Sequence, residues 1–353
     1  GSAVAPATAM RGLLAFLFED SPQELRVRCF ADESLPDALL RLGGALHEPD
    51  AVQELLDALL HLLERGERCS AGRLEAELRE QAHTLLRGYL VQQWLSQLKD
   101  SALPHAQSVE LAVALGLPPA LSEGAKRPLS VVRELSLTYA AERLYLQRLR
   151  LFKLSMLSAR GLTLGKTLAA WKVLRSDDVK TQSAALEVLE SSLDGQLSSF
   201  VLPLLNTQSA LERKLRLVES HFVKLRLPAG SAPPWMREWF AASLEPLGAA
   251  LGALALWLSL PEGAPPAAPV LAHVLVLRGA PLFHNLLTLH VTALATRARE
   301  RRVRAGERVC SAGETCLVLE GCVVVRRAHG AAEREEYRVG DAVQQLGCIY
   351  KKL

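Results

Sequence analysis

The chain is 353 residues long, with 49% hydrophobic residues, 22% charged residues and a formal net charge of +3 at pH 7. That length suits two or three domains, and that balance is ordinary for a globular protein. Lys and Arg alternate with Asp and Glu along most of the apolar segments, which argues against the basic face of a nucleic-acid-binding protein. Aromatic residues make up only 5%, so Leu, Ala and Val must build the core, and a chain rich in Leu and Ala favours helices.

Cysteine usage predicts reduced thiols in a cytosolic setting. The sequence has no Cys-x-x-Cys pair, and a chain of this size and apolar content needs no disulfides to fold. Zinc sites use closer ligand pairs, so we expect no metal centre. The six cysteines are Cys29, Cys69, Cys310, Cys316, Cys322 and Cys348.

The first third of the chain is predicted to be a short lead followed by helices. Residues 1–9 are expected to be a disordered tag or lead, since the initial Gly-Ser is typical of a cloning remnant, and residues 10–125 an N-terminal helical region. Residues 49–66 have Pro-Asp at the expected helix start, a stripe of leucines and a terminal glycine. Residues 71–100 predict a longer helix, and residues 115–128, rich in Pro, Gly and Ser, predict a surface loop.

The segment RGLTLGKTL, residues 160–168, ends like a phosphate-binding P-loop. Such a loop needs Gly-x-x-x-x-Gly-Lys-[Ser/Thr] between a buried strand and a helix. Here Gly161 is one residue too close to Gly165, Arg160 occupies the required glycine position, and the preceding residues have helical periodicity. We therefore expect a turn between two helices, with Lys166 facing solvent and binding no phosphate.

Residues 126–279 are predicted to form HEAT-like helical repeats. A long helix over residues 128–157 is followed by shorter and more regular ones. One of these opens with Asp-Asp-Val, which suits the helix dipole, and its alanines would let two helices approach closely. Helix pairs of this kind, about 40 residues each, are typical of an α-solenoid, and a generic helical bundle is the alternative. The residues expected to face inward in that helix are Ala184, Ala185, Val188 and Leu189.

Residues 247–260 are the best candidate for a membrane span, yet they are too short for one. They number about 14, whereas a bilayer needs roughly 20. Prolines bound the segment on both sides, so a buried helix is the expected outcome.

The sequence contains no recognisable catalytic pattern, so we expect a protein without enzyme activity. His-Glu-x-x-His and Gly-x-Ser-x-Gly are missing, and Glu335-Glu336 is expected at the solvated end of a hairpin. Five arginines in residues 297–304 are expected at a solvated junction, because basic residues elsewhere are interrupted by acidic ones. The histidines occur singly, and His61 and His83 are expected to have packing or surface roles; the others considered are His105, His221, His273, His284, His290 and His329.

The apolar period changes after residue 300. In residues 301–343 apolar residues alternate or occur in short runs separated by glycines, which predicts an antiparallel β-roll within residues 280–353. The expected fold class is therefore mainly α: a HEAT-like helical solenoid with a small C-terminal antiparallel β-roll.

This C-terminal segment resembles the cyclic-nucleotide-binding domain family. Residues 276–286, VLRGAPLFHNL, look like the family's leading helix and its Pro-Leu-Phe turn, and the later motifs occur in the family's order. The resemblance implies a partial cyclic-nucleotide-binding-like fold. The residues that carry it are Ala305-Gly306-Glu307, Gly313-Glu314, Glu320-Gly321 within the strand CLVLEGCVVV, and Val339-Gly340-Asp341.

The ligand-binding cassette is where this chain departs from the family pattern. The family has Phe-Gly-Glu after the Gly-Asp turn and then an arginine, which bind the phosphate and the ribose of the nucleotide. After Gly340 and Asp341 this chain has Gln344 at the glycine position and Gln345 at the glutamate position, and Lys351-Lys352 does not supply the arginine's bidentate fork. We expect a vestigial cassette that binds no cyclic nucleotide, and no other cofactor. A shortened sequence or a natural short form would both explain this ending.

The order of these parts resembles the soluble tails of certain bacterial membrane proteins, in which HEAT-like repeats follow a transporter of the major-facilitator or ADP/ATP-carrier type. The resemblance implies a cytoplasmic portion that reaches the membrane face only through a partner. The expected function is a non-catalytic interaction or regulatory scaffold, with a degenerate roll as its cap, a protein partner such as a membrane transporter, and no nucleic acid. The alternative is a cyclic-nucleotide-responsive sensor that regulates an attached or partner transporter. An ATP-using enzyme at residues 161–167 is a third hypothesis.

Overall fold

The computed structural model is mainly helical, with twelve α-helices among the residues that it describes. The described residues are 8, 12, 34–46, 49–98, 128–159, 164–176, 178–218, 234–241, 246–259, 265–283, 285–299, 301, 303, 304, 307, 315–318, 322–326, 334–338 and 342–344.

Two compact units are interleaved along the chain. The first consists of residues 1–97 and 140–244, and the second of residues 98–139 and 245–353. The four-part division predicted from the sequence stays a prediction. The described helices of the first unit are α1 (Leu35–Ala45), α2 (Pro49–Glu64), α3 (Ala71–Gln97), residues 140–158 of α4 (Pro128–Ser158), α5 (Leu164–Leu174), α6 (Val179–Ser192), α7 (Gly195–Leu205), α8 (Leu211–Val218) and α9 (Pro234–Ala241).

Short polar side chains begin several of these helices. Ser34, Asp178 and Asp194 each accept a hydrogen bond from a backbone N–H two or three residues later, at the starts of α1, α6 and α7. These caps satisfy N–H groups that helix geometry leaves without a partner. After α2, Gly66 adopts a φ of 89°, a left-handed conformation that glycine adopts without steric cost. The helix stop expected at this glycine is confirmed.

Leucines dominate a continuous apolar core in the first unit. Helices α5, α6, α7 and α8 each contact the next in sequence, α5 also contacts α2, and α7 also contacts α3. Phe152 of α4 and Phe200 of α7 are the largest fully buried side chains of this core. Because burial of such a side chain contributes about 1.5–3 kcal/mol, this core is the main source of the unit's stability.

The false P-loop is part of a helix. Gly165 and Lys166 lie in the first helical turn of α5. The loop between two helices that was expected here is therefore wrong for residues 165 and 166. Residues 160–163 lie outside the described residues. Lys166 is exposed, as expected. A lysine on an exposed helical turn has none of the backbone wrapping that a phosphate loop needs.

The inward side of α6 differs from the prediction. Ala185 and Leu189 are buried as expected, but Ala184 and Val188 are exposed. The buried row runs through Gln182, Ala185 and Leu189, at the i, i+3, i+7 spacing of one helix face. The prediction selected apolar residues and so missed the polar member of the row.

The described part of the second unit contains residues 128–139 of α4, three further helices and four short strands. The helices are α10 (Pro246–Ser259), α11 (Pro269–Gly279) and α12 (Thr288–Ala295), with a 3-10 turn at Pro281–Phe283, and α11 contacts both α10 and α12. Leu247, Leu251 and Leu254 of α10 are buried, which confirms the buried helix expected there. Among the described helices, none has both the length and the apolar character needed to cross a membrane.

The strands form two separate antiparallel pairs. β1 (Thr315–Leu317) pairs with β4 (Ala342–Gln344), and β2 (Cys322–Arg326) pairs with β3 (Arg334–Arg338). The segment CLVLEGCVVV, expected as one strand, is divided between β1 and β2. Two two-stranded sheets among the described residues do not make up a roll. The mainly α class is thus confirmed, whereas the roll and the HEAT-like repeat stay predictions.

Candidate functional site

Helices α5 and α6 carry a concentration of exposed apolar side chains. The described residues include nine large hydrophobic side chains that are exposed, and four of them, between 37% and 59% exposed, lie on these two helices. Single exposed apolar residues are common, but several on adjacent elements are typical of a binding surface. We call the exposed surface of these two helices the α5–α6 face, defined by Leu168, Val173, Val179 and Val188; Val179 and Val188 lie on opposite sides of α6, because nine residues correspond to about two and a half helical turns.

Gln182 fixes α6 against its neighbours beneath this face. Its amide nitrogen donates to the backbone carbonyl of Leu174 at 2.8 Å and to Oγ1 of Thr207 at 2.6 Å. The first bond satisfies a carbonyl that the end of α5 would otherwise leave without a partner. The second ties α6 to the segment that follows α7. Gln182 is only 2% exposed, and its bond to Leu174 is buried, whereas its bond to Thr207 is part-buried.

Trp171 anchors the inner side of α5 on α4. Its ring centroid lies 5.2 Å from that of Phe152 and 5.9 Å from that of Tyr145, both in tilted arrangements. The guanidinium of Arg175 lies 5.1 Å from the centre of the Tyr145 ring. Such aromatic and cation–π contacts hold a helix in one orientation. The outer side of α5 therefore keeps a fixed direction.

Charged residues surround the apolar ones on the α5–α6 face. Lys166, Lys172 and Arg175 are exposed on or beside α5. Asp178 begins α6, and its pKa is lowered because the side-chain hydroxyl and the backbone N–H of Thr181 donate to its carboxylate. A surface with apolar residues between charged ones can bind a protein segment that carries both apolar and charged side chains.

A second site of interest is a group of polar side chains at the edge of the same unit's core. Tyr89 of α3, Arg148 of α4 and Lys214 of α8 converge there, and we call them the Lys214 cluster. Lys214 is 3% exposed, and its Nζ lies 4.0 Å from the centre of the Tyr89 ring. The Tyr89 hydroxyl accepts a hydrogen bond from Arg148 and donates to the backbone carbonyl of Leu204 at 2.9 Å.

The Lys214 cluster holds two positive charges in a poorly solvated place. Burial, together with the nearby charge of Arg148, lowers the pKa of Lys214 to about 8. Burial raises the pKa of Tyr89 to about 12, against the opposite effect of Arg148. The Nε of Arg148 is buried without a hydrogen-bond partner. Within the described part of the chain, no carboxylate neutralises this pair.

Other buried cations of α4 are paired with acids. Arg150 contacts the carboxylate of Glu77 at 2.7 Å, and Nζ of Lys153 lies 2.7 Å from Oδ1 of Asp57. These pairs join α4 to α3 and α2. They are explained as structural ion pairs, which sets the Lys214 cluster apart.

Most residues of the predicted cyclic-nucleotide cassette lie outside the described residues. This holds for Gly340, Asp341 and Gln345. Gln344 is the last residue of β4, where its backbone lies opposite Thr315 of β1. The vestigial cassette therefore stays a prediction.

Two local expectations in the C-terminal segment are wrong. Cys316 is disulfide-bonded, although its sequence spacing carries no disulfide signal. Cys69, in contrast, is free. Glu335 and Glu336 lie inside β3, opposite Val325 and Val324, rather than at the end of a hairpin.

The described histidines agree with packing or surface roles. His61 is exposed, with Nδ1 3.2 Å from the carboxylate of Glu64. His83 is half-buried, and burial together with the charge of Arg87 lowers its pKa. His290 is exposed and His273 contacts a backbone carbonyl. The remaining candidates, His105, His221, His284 and His329, lie outside the described residues, and no group of three or more His, Cys, Asp or Glu in the described part could hold a metal ion.

The arginine-rich junction is solvated where the structure describes it. Arg301 contacts the carboxylate of Glu307 at 3.1 Å, and the backbone N–H of Arg304 donates to the same carboxylate at 3.0 Å. Both hydrogen bonds lower the pKa of Glu307, the backbone one more strongly. This agrees with the expected junction.

Sequence reasoning missed Gln182 and the Lys214 cluster, although both leave a signal. Gln182 and Lys214 each occupy an inward position of an amphipathic helix. Gln182 lies in the same helix row as Ala185 and Leu189, and Lys214 follows Leu211 by three residues. A polar residue in a row of apolar ones must find a partner, and that rule would have selected both.

Comparisons of the chain with protein-family models, with curated proteins and with solved structures find no match. The resemblances carried by short motifs therefore stay predictions.

Proposed function

We propose that this chain is a non-catalytic protein-interaction scaffold whose protein partner binds the α5–α6 face. One observation carries the proposal: four large apolar side chains are exposed on two adjacent helices. Gln182 and Trp171 hold the inner sides of those helices in place. A surface that is already ordered loses little conformational entropy when a partner binds.

The finer description of the fold belongs to the same proposal. Residues 126–279 form a HEAT-like array, an interpretation supported by the consecutive contacts of α5, α6, α7 and α8. Residues 280–353 form a partial, degenerate cyclic-nucleotide-binding-like domain. The 3-10 turn at Pro281–Phe283 supports it, because the turn follows α11 as the resemblance implies. The proposed location is cytoplasmic, at a membrane face through a partner such as a transporter.

A cyclic-nucleotide sensor is the second candidate function, and it rests on the same resemblance of residues 280–353. The two functions differ in ligand binding. Calorimetric titration with cyclic AMP and cyclic GMP should show no heat for a scaffold with a vestigial cassette. Saturable binding in the micromolar range would favour the sensor function over the scaffold function.

Partner binding is tested with surface variants of the full chain. Tagged wild-type protein is purified from the cells that naturally produce it, beside Val188→Glu and the control Ala76→Glu. Both positions are exposed, Val188 on α6 and Ala76 on α3, and Ala76 is not part of the α5–α6 face. We expect the same partner with wild type and with Ala76→Glu, and its loss with Val188→Glu. Equal retention of one partner by all three proteins would show that the partner does not bind through the α5–α6 face.

A further inference from the structure

We infer that the Lys214 cluster is a binding site for a phosphate-class anion, held between the ammonium group of Lys214 and the guanidinium group of Arg148. The inference lies beyond the scaffold function and does not depend on it. Its basis is the arrangement of three side chains contributed by α3, α4 and α8.

The first observation is a missing counter-charge. Lys214 is 3% exposed and contacts the Tyr89 ring, and within the described residues it has no carboxylate beside it. A buried charge normally has a partner of opposite sign. Lys153, which is similarly buried, has its carboxylate at 2.7 Å. The contact with Tyr89 compensates only part of the lost hydration, because a cation–π contact is weaker than an ion pair with hydrogen bonds.

The second observation is unused hydrogen-bonding capacity. Arg148 donates to the Tyr89 hydroxyl, but its buried Nε has no partner. Tyr89 in turn donates its only proton to the carbonyl of Leu204. The tyrosine is therefore fixed, and the free donors of the cluster belong to the two cations. A buried polar group that is left without a partner indicates either a cost to stability or an unseen ligand.

The charge and the donors of the cluster select the chemical class of the ligand. A phosphate group carries a charge of about −1.5 to −2 at pH 7, which matches two neighbouring cations. Arginine and lysine are the usual phosphate-binding side chains. A carboxylate would neutralise only one of the two charges. Tyr89 and Arg148 are only half-buried, so the cluster lies at the edge of the core rather than at its centre.

Calorimetric titration of the full chain with sodium phosphate at pH 7 tests the site, with sodium chloride used to match the ionic strength. We expect saturable binding of one phosphate to the wild type and weaker binding of acetate. Glycerol 2-phosphate, run in parallel, distinguishes a phosphate ester from free phosphate, and stronger binding of either one supports the site.

Variants locate the binding. Lys214→Met and Arg148→Met should each weaken phosphate binding at least about tenfold, since truncation of one charged partner removes most of such an interaction. Lys172→Met, at an exposed lysine of α5, should bind like the wild type. Circular dichroism checks that each variant is folded. If Lys214→Met does not fold, the test relies on Arg148→Met. Lack of phosphate binding by the wild type, or equal binding by the folded cluster variants, would overturn the inference.

Discussion

Enlarging Gly88 should destabilise the first unit by an amount that the packing around it sets. A Cβ at this position would lie 2.7 Å from Cδ2 of Leu144 and 3.0 Å from Cζ2 of Trp239, whereas carbon atoms pack best at about 3.5–4.0 Å. Both neighbours are buried, and Nε1 of Trp239 also donates to the backbone carbonyl of Thr84 at 3.3 Å. Neither side chain can therefore move aside without breaking other contacts.

The magnitude follows from two opposing effects. A larger residue in place of glycine gains up to about 1 kcal/mol of helix propensity, and overpacking a close-packed core costs about 1–3 kcal/mol. Gly88→Ala should then lose about 1 kcal/mol. Gly88→Val adds two more methyl groups and a β-branch, and it should lose about 3 kcal/mol. At about 2–4 °C per kcal/mol for a unit of this size, Gly88→Val lowers the Tm by about 6–12 °C.

Gly72 provides the matched control within the same helix. It also lies in α3, but nothing approaches within 4 Å of a Cβ built there. Thermal melts of the full chain, followed by circular dichroism, should show a Tm change for Gly72→Val of no more than about 2 °C. If Gly88→Val and Gly72→Val have the same Tm, the close approach of α3, α4 and α9 at Gly88 is wrong.

Three further predictions concern buried polar groups of the first unit. Gln182→Leu should lower the free energy of unfolding by about 1–3 kcal/mol, because it leaves the buried carbonyl of Leu174 without its donor. Urea unfolding measures this loss, and an unchanged midpoint would contradict the hydrogen bonds of Gln182. Asp57→Asn should lower the free energy of unfolding by about 2 kcal/mol, because the ammonium of Lys153 loses its counter-charge. Adding Lys153→Met should restore most of that stability. An additive loss in the double variant would exclude the ion pair. In phosphate-free buffer Lys214→Met should be more stable than the wild type below about pH 8, since the pKa of Lys214 is lower in the folded state. That advantage should shrink as the pH rises towards about 10.4, the pKa of an unfolded lysine, and a difference that does not vary between pH 7 and pH 10 would contradict the burial of a charged lysine.

Local rules predicted the helices well because their determinants lie within a few residues. The glycine stop after α2 at Gly66 needs only the preference of one residue for a left-handed conformation. The buried helix α10 follows from its run of apolar residues. The P-loop at Lys166 was rejected for the right reason, since its surroundings are helical, although α5 begins earlier than expected.

Long-range partners limited what the sequence could predict. The apolar row of α6 marks Gln182 as an inward polar residue, but no local pattern identifies its partners, the carbonyl of Leu174 and the hydroxyl of Thr207. The same holds for Lys214 and Arg148, which are 66 positions apart along the chain and come together only when α4 and α8 pack. The division of CLVLEGCVVV into two strands likewise depends on which strands pair.

Site-specific photo-crosslinking tests the central claim most directly. A photoreactive benzophenone amino acid is placed at residue 188, on the α5–α6 face, or at residue 76, an exposed position of α3, in the cells that naturally produce the protein. The scaffold account predicts one discrete cross-linked partner from residue 188 and none from residue 76. No adduct at residue 188, or the same adduct from both positions, would contradict a protein partner on the α5–α6 face.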